Sequence, residues 1–349
     1  MYDLLITNTK IIDGTGSPEF IGQVAVENGK LKVLSADEKV EAKETIDAKG
    51  HYTVPGFIDP HSHGDIPLGQ PFASLSKISQ GITTHVTGMC GFSMFPVNPK
   101  TSPMLRESLG LLSLTFPDEM DTFTTCANFM KYSDTVKRPE NTQFLIGLVT
   151  LRVAVMGYDN RPPTAEELEK MKFLMREAME NGAAGFSTGL VYVPCAYASE
   201  DEIVELCKIV AEYDGIYTTH IRNEGSGSFE SIQEAINVAR RSGVRTVISH
   251  HKMQGQANWG KTKETLAMIH AAIDEGLNIT CDQYPYTACM THLSVCVPPN
   301  YYTNGLSGVC ELLQDPVMRE QIKKEMNDPA TPYDNYYLNA GGWKGVFVS

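Results

Sequence analysis

In the first 55 positions apolar residues come in short, partly alternating runs, "LLITNTKII", "GQVAVENGKLKVL" and "ETIDAKGHYTV", separated by turn formers. Period-two alternation marks strands. Asn28-Gly29 tolerates positive φ, so Glu27 to Lys30 is expected to form a hairpin turn. The segment reads as a small β domain closing at Pro55-Gly56.

From residue 57 the pattern changes to strand alternating with helix. A strand leading into His61 is followed by "ITTHVTGM", "FLIGLVT", "GFSTGL", "GIYTTH", "RTVISH" and "NITCDQY". Between the later runs the apolar spacing is helical. Thr164 and Glu167 form a capping box before Leu168, Met171, Leu174 and Ala178, with Gly182 past the end. Ser199 and Glu202 repeat that arrangement before Ile203, Leu206 and Val210, and Gly215 ends the helix. Two further helices, around 228–241 and 261–275, end near Gly243 and Gly276. Seven strands in series with helices predict a parallel sheet, and favour an α/β fold of the (β/α)8 barrel type over a doubly wound sheet. The expected domains are 1–55 and 56–349.

Composition removes several partner classes. The chain has 349 residues, 42% hydrophobic, with 29 Lys+Arg against 42 Asp+Glu and a net charge of -13. No basic stripe suits a phosphate backbone, so nucleic acid is not an expected partner. "MYDLLITNTKIIDG" lacks the charged and apolar regions of a signal peptide, and no run nears the roughly 18 apolar residues of a membrane span. Eight scattered cysteines without a CxxC pair suit a reducing cytoplasm.

Candidate chemistry gathers at the strand ends, where barrel active sites lie. In "FIDPHSHGD", His61 and His63 stand two residues apart, a spacing that turns both imidazoles to one face of an extended chain. Cys90 follows the second strand, in "GMCGFS". His220 ends "GIYTTH" and His250 ends "RTVISH", 30 residues apart, about one βα unit. Each alone is a weak signal: a lone cysteine is usually a small buried hydrophobe, and His251 competes with His250. Together, imidazoles and a thiolate at one rim suit zinc, and five ligands suggest two ions sharing a bridge. His51, His85, His270 and His292 lack the strand-end placement.

"VPGFIDPHSHGD", "GITTHVTGMCGFS", "GFSTGLVYVP", "IYTTHIRNEG", "ISHHKMQGQANWGK" and "DQYPYTA" resemble, in order, the N-acyl-D-amino-acid deacylase (D-aminoacylase) family of the amidohydrolase superfamily. The resemblance extends to about residue 290 and implies a metal-dependent hydrolase barrel with a small β-sandwich, built partly from residues 1–55. It implies one or two zinc ions on His61, His63, Cys90, His220 and His250, with the cysteine bridging. It carries the substrate pocket to Lys252, Tyr284, Arg222 and Ser187, and makes the substrate a small N-acyl-D-amino acid. Hydrolysis would use a water acidified by the metal from about 15.7 to about 7. Lys252 would pair with the substrate carboxylate.

Departures from the family pattern shape further expectations. No lysine lies on the third or fourth strand to bridge two metals, which speaks against a dihydroorotase- or hydantoinase-like cyclic amidase. Gly147-Leu148 stands where the family usually has Gly-His. The family's catalytic aspartate, at the end of the eighth strand, has no counterpart. The chain is therefore expected to be an N-terminal fragment, with its barrel truncated, its proton shuttle beyond Ser349 and little activity of its own. An inactive metal-binding fragment is the other reading.

Overall fold

In the computed structural model the described residues are 1–348, except 67, 69, 70, 111, 113 and 114. They divide into two compact units, Met1–Phe57 and Ile58–Ser349.

The first unit holds β1 (Tyr2–Ile11), β2 (Phe20–Glu27), β3 (Lys30–Ser35), β4 (Ala42–Asp47) and β5 (Tyr52–Thr53). Their order is β3-β2-β1-β4, with β5 also pairing with β1. The hairpin forms as expected: Glu27 pairs with Lys30, and Asn28 and Gly29 turn at φ of 52° and 73°. Leu5, Ala25 and Leu34 make its buried core.

The second unit carries β6 (Phe57–Asp59), β7 (Ile82–Thr87), β8 (Asn141–Gly147), β9 (Gly185–Gly189), β10 (Ile216–His220), β11 (Arg245–Ile248) and β12 (Ile279–Cys281). They form one sheet in sequential order, parallel in each pairing from β7 to β12. Its helices are α1 (Pro71–Ile78), α2 (Ser102–Leu109), α3 (Cys126–Ser133), α4 (Leu148–Met156), α5 (Ala165–Glu180), α6 (Glu200–Glu212), α7 (Ser228–Ser242) and α8 (Thr262–Asp274). After β12 come α9 (Gly305–Leu312), α10 (Pro316–Met326) and α11 (Tyr336–Asn339). Helices α5 to α8 pack side by side in chain order. His61, just past β6, contacts Asp282, just past β12, at 3.0 Å. The sheet is therefore curled until its two outer strands meet at their C-terminal ends.

Local signals were obeyed with two exceptions. The capping box at Thr164 and Glu167 is complete. At the next helix only half of it forms. Ser199 accepts from the Glu202 amide, but the Glu202 carboxylate turns inward to buried Arg152, at 2.7 and 2.6 Å. The run "FLIGLVT" is split, since β8 ends at Gly147 and Leu148 opens α4, an element buried almost all round. An apolar run has no period to separate strand from buried helix. No helix among the described residues is long and apolar enough to cross a membrane.

Candidate metal centre

The centre is built on short loops following the strands. After β7, Gly88 takes φ of 79°, and a Cβ there would stand 2.3 Å from the Leu145 carbonyl oxygen, so only glycine lets β7 pass so close to β8. Two residues on, Cys90 itself is left-handed at φ of 54°. Its Sγ lies 3.4 Å from His61 Nε2 and 3.7 Å from His250 Nε2. The rings of His61 and His250 are 5.3 Å apart, and those of His220 and His250 are 4.4 Å apart. His63 stands 5.9 Å from the His61 ring, edge on, and shares a cavity wall with Cys90. All five expected ligands thus converge at one rim.

One detail differs from the expected equivalence of His220 and His250. Thr219 pairs with Ile248, so His220 is level with Ser249, and His250 lies one residue further. Strand alternation would turn it away. A left-handed backbone, φ of 38°, turns it back, and the Asp282 carboxylate accepts its amide N–H.

The electrostatics favour a cation at this place. Burial alone would raise the Cys90 thiol, but the charge of His61 and the imidazoles of His220, His250 and His61 around it hold it well below its ordinary value. Burial works against protonation of His61 and His250, yet Cys90 and Asp282 push the first up to about 10, and Glu224 with Cys90 pushes the second up to about 9. Protons and a divalent metal would compete for these same lone pairs. Ligand atoms of His61, Cys90 and His250 lie within 4.8 Å of one another, as do those of His220, Glu224 and His250. His63 Nδ1 and His220 Nδ1 are buried with no hydrogen-bond partner among the described residues. Buried nitrogens are rarely left so. A donor set of thiolate and imidazoles with idle lone pairs fits zinc.

Two cavities meet at the centre. One, of about 750 Å³, is lined by the five residues above with Lys252, Asp282, Tyr284 and Tyr336. The other, of about 670 Å³, shares His63, Cys90 and Tyr192 with it and runs toward α9 and α10. Of the expected substrate residues, Lys252 and Tyr284 reach the first cavity, the ammonium 5.4 Å from the ring centroid. Lys252 also donates to Glu224 Oε1 at 2.5 Å and lies 2.9 Å from His250 Nδ1. Arg222 and Ser187 are not on this wall. Arg222 is paired with Glu234 and the carbonyls of Ala196 and Ala198 and lines an adjoining cavity that shares Tyr192 and Tyr336 with the first. The Ser187 hydroxyl is fully buried, donating to the Gly88 carbonyl and accepting from the Gly91 amide. Both residues hydrogen-bond to the backbone of neighbouring loops.

Sequence reasoning missed Glu224 and Tyr336, and His292, which lines the second cavity. Burial brings His292 down to about 4. Glu224 follows His220 by four residues in "HIRNEG", a spacing with no meaning on a loop until the fold closes it.

Residues 44–322 match the amidohydrolase family. The chain belongs to that family. It is 37% identical over 293 residues to the N-acyl-D-aspartate deacylase of Alcaligenes xylosoxydans xylosoxydans, covering 83% of this chain and 58% of that protein. The D-aminoacylase of the same organism is also 37% identical, over 84% of this chain and 59% of its own length. Among solved structures, the N-acyl-D-glutamate deacylase of Bordetella bronchiseptica, complexed with zinc and a phosphonate inhibitor, has a TM-score of 0.76 at 36% identity, covering 82% of this chain and 59% of that one. A D-aminoacylase described with a binuclear metal center has a TM-score of 0.77 at 34% identity, with coverage of 85% and 62%. The chain therefore spans about three fifths of the length of these relatives. The resemblance read from the motifs is borne out. An L-hydantoinase from Arthrobacter aurescens, at 19% identity and a TM-score of 0.55, shares the fold.

Proposed function

We propose that this chain carries the metal centre and part of the substrate pocket of an enzyme that hydrolyses the amide bond of N-acyl-D-amino acids. The observation that supports it most is the Cys90 thiolate ringed by His61, His220 and His250 at the rim of a parallel sheet. The relatives at 37% identity carry the names of deacylases of this kind, whereas a dihydroorotase is 22% identical and an L-hydantoinase 19%. On this reading residues 56–349 belong to an eight-stranded barrel and residues 1–55 to a small β-sandwich.

His61, His63, Cys90, His220 and His250 would hold one or two zinc ions. Bound there, zinc would supply an acidified water and polarise the scissile carbonyl. Lys252 is the sole lysine or arginine on the first cavity's wall among the described residues. It would meet the substrate carboxylate while keeping Glu224 as its other partner, and Tyr284 would flank it.

The test uses the complete gene product, zinc-loaded, with N-acetyl-D-methionine, its L enantiomer, dihydroorotate and a hydantoin. Release of free amine from the D substrate alone is expected. Turnover of the cyclic amides with none of the linear one would replace this reading by the cyclic-amidase one.

A further inference from the structure

Each histidine facing Cys90 has a second polar group behind it. His61 turns Nε2 to the thiolate and rests Nδ1 on Asp282 Oδ2 at 3.0 Å. His250 likewise turns Nε2 to the thiolate, with Nδ1 2.8 Å from Glu224 Oε1. His220 is reversed: its Nε2 lies 3.6 Å from Glu224 Oε2 and 3.1 Å from the Tyr336 hydroxyl, and its Nδ1 is the idle nitrogen. One carboxylate therefore stands behind two of the three imidazoles.

Glu224 is not itself placed to hold a metal, although its oxygens lie close enough to the histidines to count as a ligand set. It is 2% exposed, and both oxygens are taken. Oε1 receives Lys252 and His250, while Oε2 receives the Gln254 amide at 2.6 Å and Tyr336 at 3.4 Å. A carboxylate has about four acceptor sites, and here four donors address them. The Asp334 carboxylate, accepting the Glu224 amide at 2.8 Å, holds the backbone in place.

His250 Nδ1 is contested. Lys252 lies 2.9 Å from it and can only donate, whereas Glu224 can only accept. If Lys252 wins, the ring proton moves to Nε2 and blocks the lone pair facing Cys90. If Glu224 wins, Nδ1 carries the proton and Nε2 is free.

We propose that Glu224 is the positioning residue of the metal centre, setting the tautomer of His250 by accepting from its Nδ1 and that of His220 through the Tyr336 hydroxyl, which accepts from His220 Nε2 and donates to Glu224. Asp282 does the same for His61. This rests on the metal reading above. Partners of this kind raise ligand basicity and fix ring orientation, and their loss typically weakens metal binding about 10–100-fold.

The test measures zinc affinity by chelator competition and the visible spectrum of the cobalt(II)-substituted protein, for wild type, Glu224→Gln and Lys252→Met. Glu224→Gln should bind zinc about 10–100-fold more weakly and shift the cobalt bands, and Lys252→Met should stay within about threefold of wild type. Should Glu224→Gln not fold, Glu224→Gln/Lys252→Met leaves no unpaired buried charge and carries the same expectation. Wild-type affinity in whichever of the two folds would overturn the proposal, because Glu224 would then only neutralise Lys252. Two-bond proton–nitrogen spectra of the zinc-loaded wild type give a reading free of substitution. They should show His250 protonated at Nδ1 and His220 at Nε2, and the opposite tautomers would overturn the proposal as well. No zinc binding by wild type would instead defeat the metal reading itself.

Discussion

Cys90 and His250 both hold left-handed backbone angles, which for residues other than glycine cost on the order of 1–3 kcal/mol and persist only where the surroundings enforce them. Gly88 before one and the Asp282 carboxylate against the other supply that enforcement. What it secures is direction, since both side chains are turned to a common point. A thiolate held there by cations should be shielded once a metal replaces the imidazole protons. Iodoacetamide is therefore expected to label Cys90 in chelator-treated protein at least tenfold faster than in zinc-loaded protein, read by peptide mass spectrometry. Equal rates would remove Cys90 from the ligand set. Asp334, deeper in the same region, makes a different prediction. Burial and the nearby Glu224 carboxylate raise it from 3.8 to about 7. Its folded value lies above its unfolded one, so the stability it contributes is complete below pH 3.8 and is lost as pH rises through about 7. Urea unfolding at about pH 4.5 and 7.5 should show wild type losing stability relative to Asp334→Asn across that interval. Parallel pH dependences would show that Asp334 is ionised throughout.

At the scale of elements, the second helix cap is informative because it was half used. Ser199 caps α6 as its sequence requires, but Glu202 leaves the cap for Arg152 on α4. The pair is dry, with side chains 0% and 2% exposed, so it ties α4 to α6 through the core. Removing one partner strands a buried charge, which typically costs about 3–5 kcal/mol, whereas replacing both by apolar residues of similar size is often neutral. Arg152→Met should therefore lower the unfolding free energy by about that amount in urea titrations, and Arg152→Met/Glu202→Leu should recover most of it. If the double variant is no better than the single one, the contact acts through packing and not charge. Burial, which local spacing does not encode, also decided that Leu148 begins α4 instead of prolonging β8.

For the whole molecule, the curled sheet puts a large apolar chamber beside the metal centre. Val297, Leu306, Val309, Leu313, Ile322 and Met326 line it. The two cations on its wall are engaged, Lys323 by Glu320 and Arg319 by the Leu313 carbonyl. Among the described residues of that wall, an acidic substrate side chain would find no lysine or arginine without a partner. The complete protein should thus hydrolyse N-acetyl-D-methionine or D-leucine at least about tenfold better, in kcat/KM, than N-acetyl-D-aspartate, since an unpaired buried carboxylate costs more than the 1.4 kcal/mol of one decade. A preference for the aspartate derivative would place its side chain elsewhere.

The chain alone determined what depends on near neighbours: the hairpin at Asn28-Gly29, the caps at Thr164 and Ser199, the strand–helix rhythm and the five ligand candidates at strand ends. Periodicity and turn chemistry act within a few residues, so they survive in a linear reading. The tertiary structure decided the rest. Asp282 reaches His61 across 221 residues only because the sheet curls, and His250 faces inward only because its backbone departs from the strand. Glu224 meets Lys252 at a separation of 28 and Tyr336 at 112. Ser187 and Arg222 hydrogen-bond to loop backbone brought to them by the fold, and neither lines the metal-side cavity. A buried carboxylate takes its role from the donors that folding brings to it, and no spacing in the sequence specifies those.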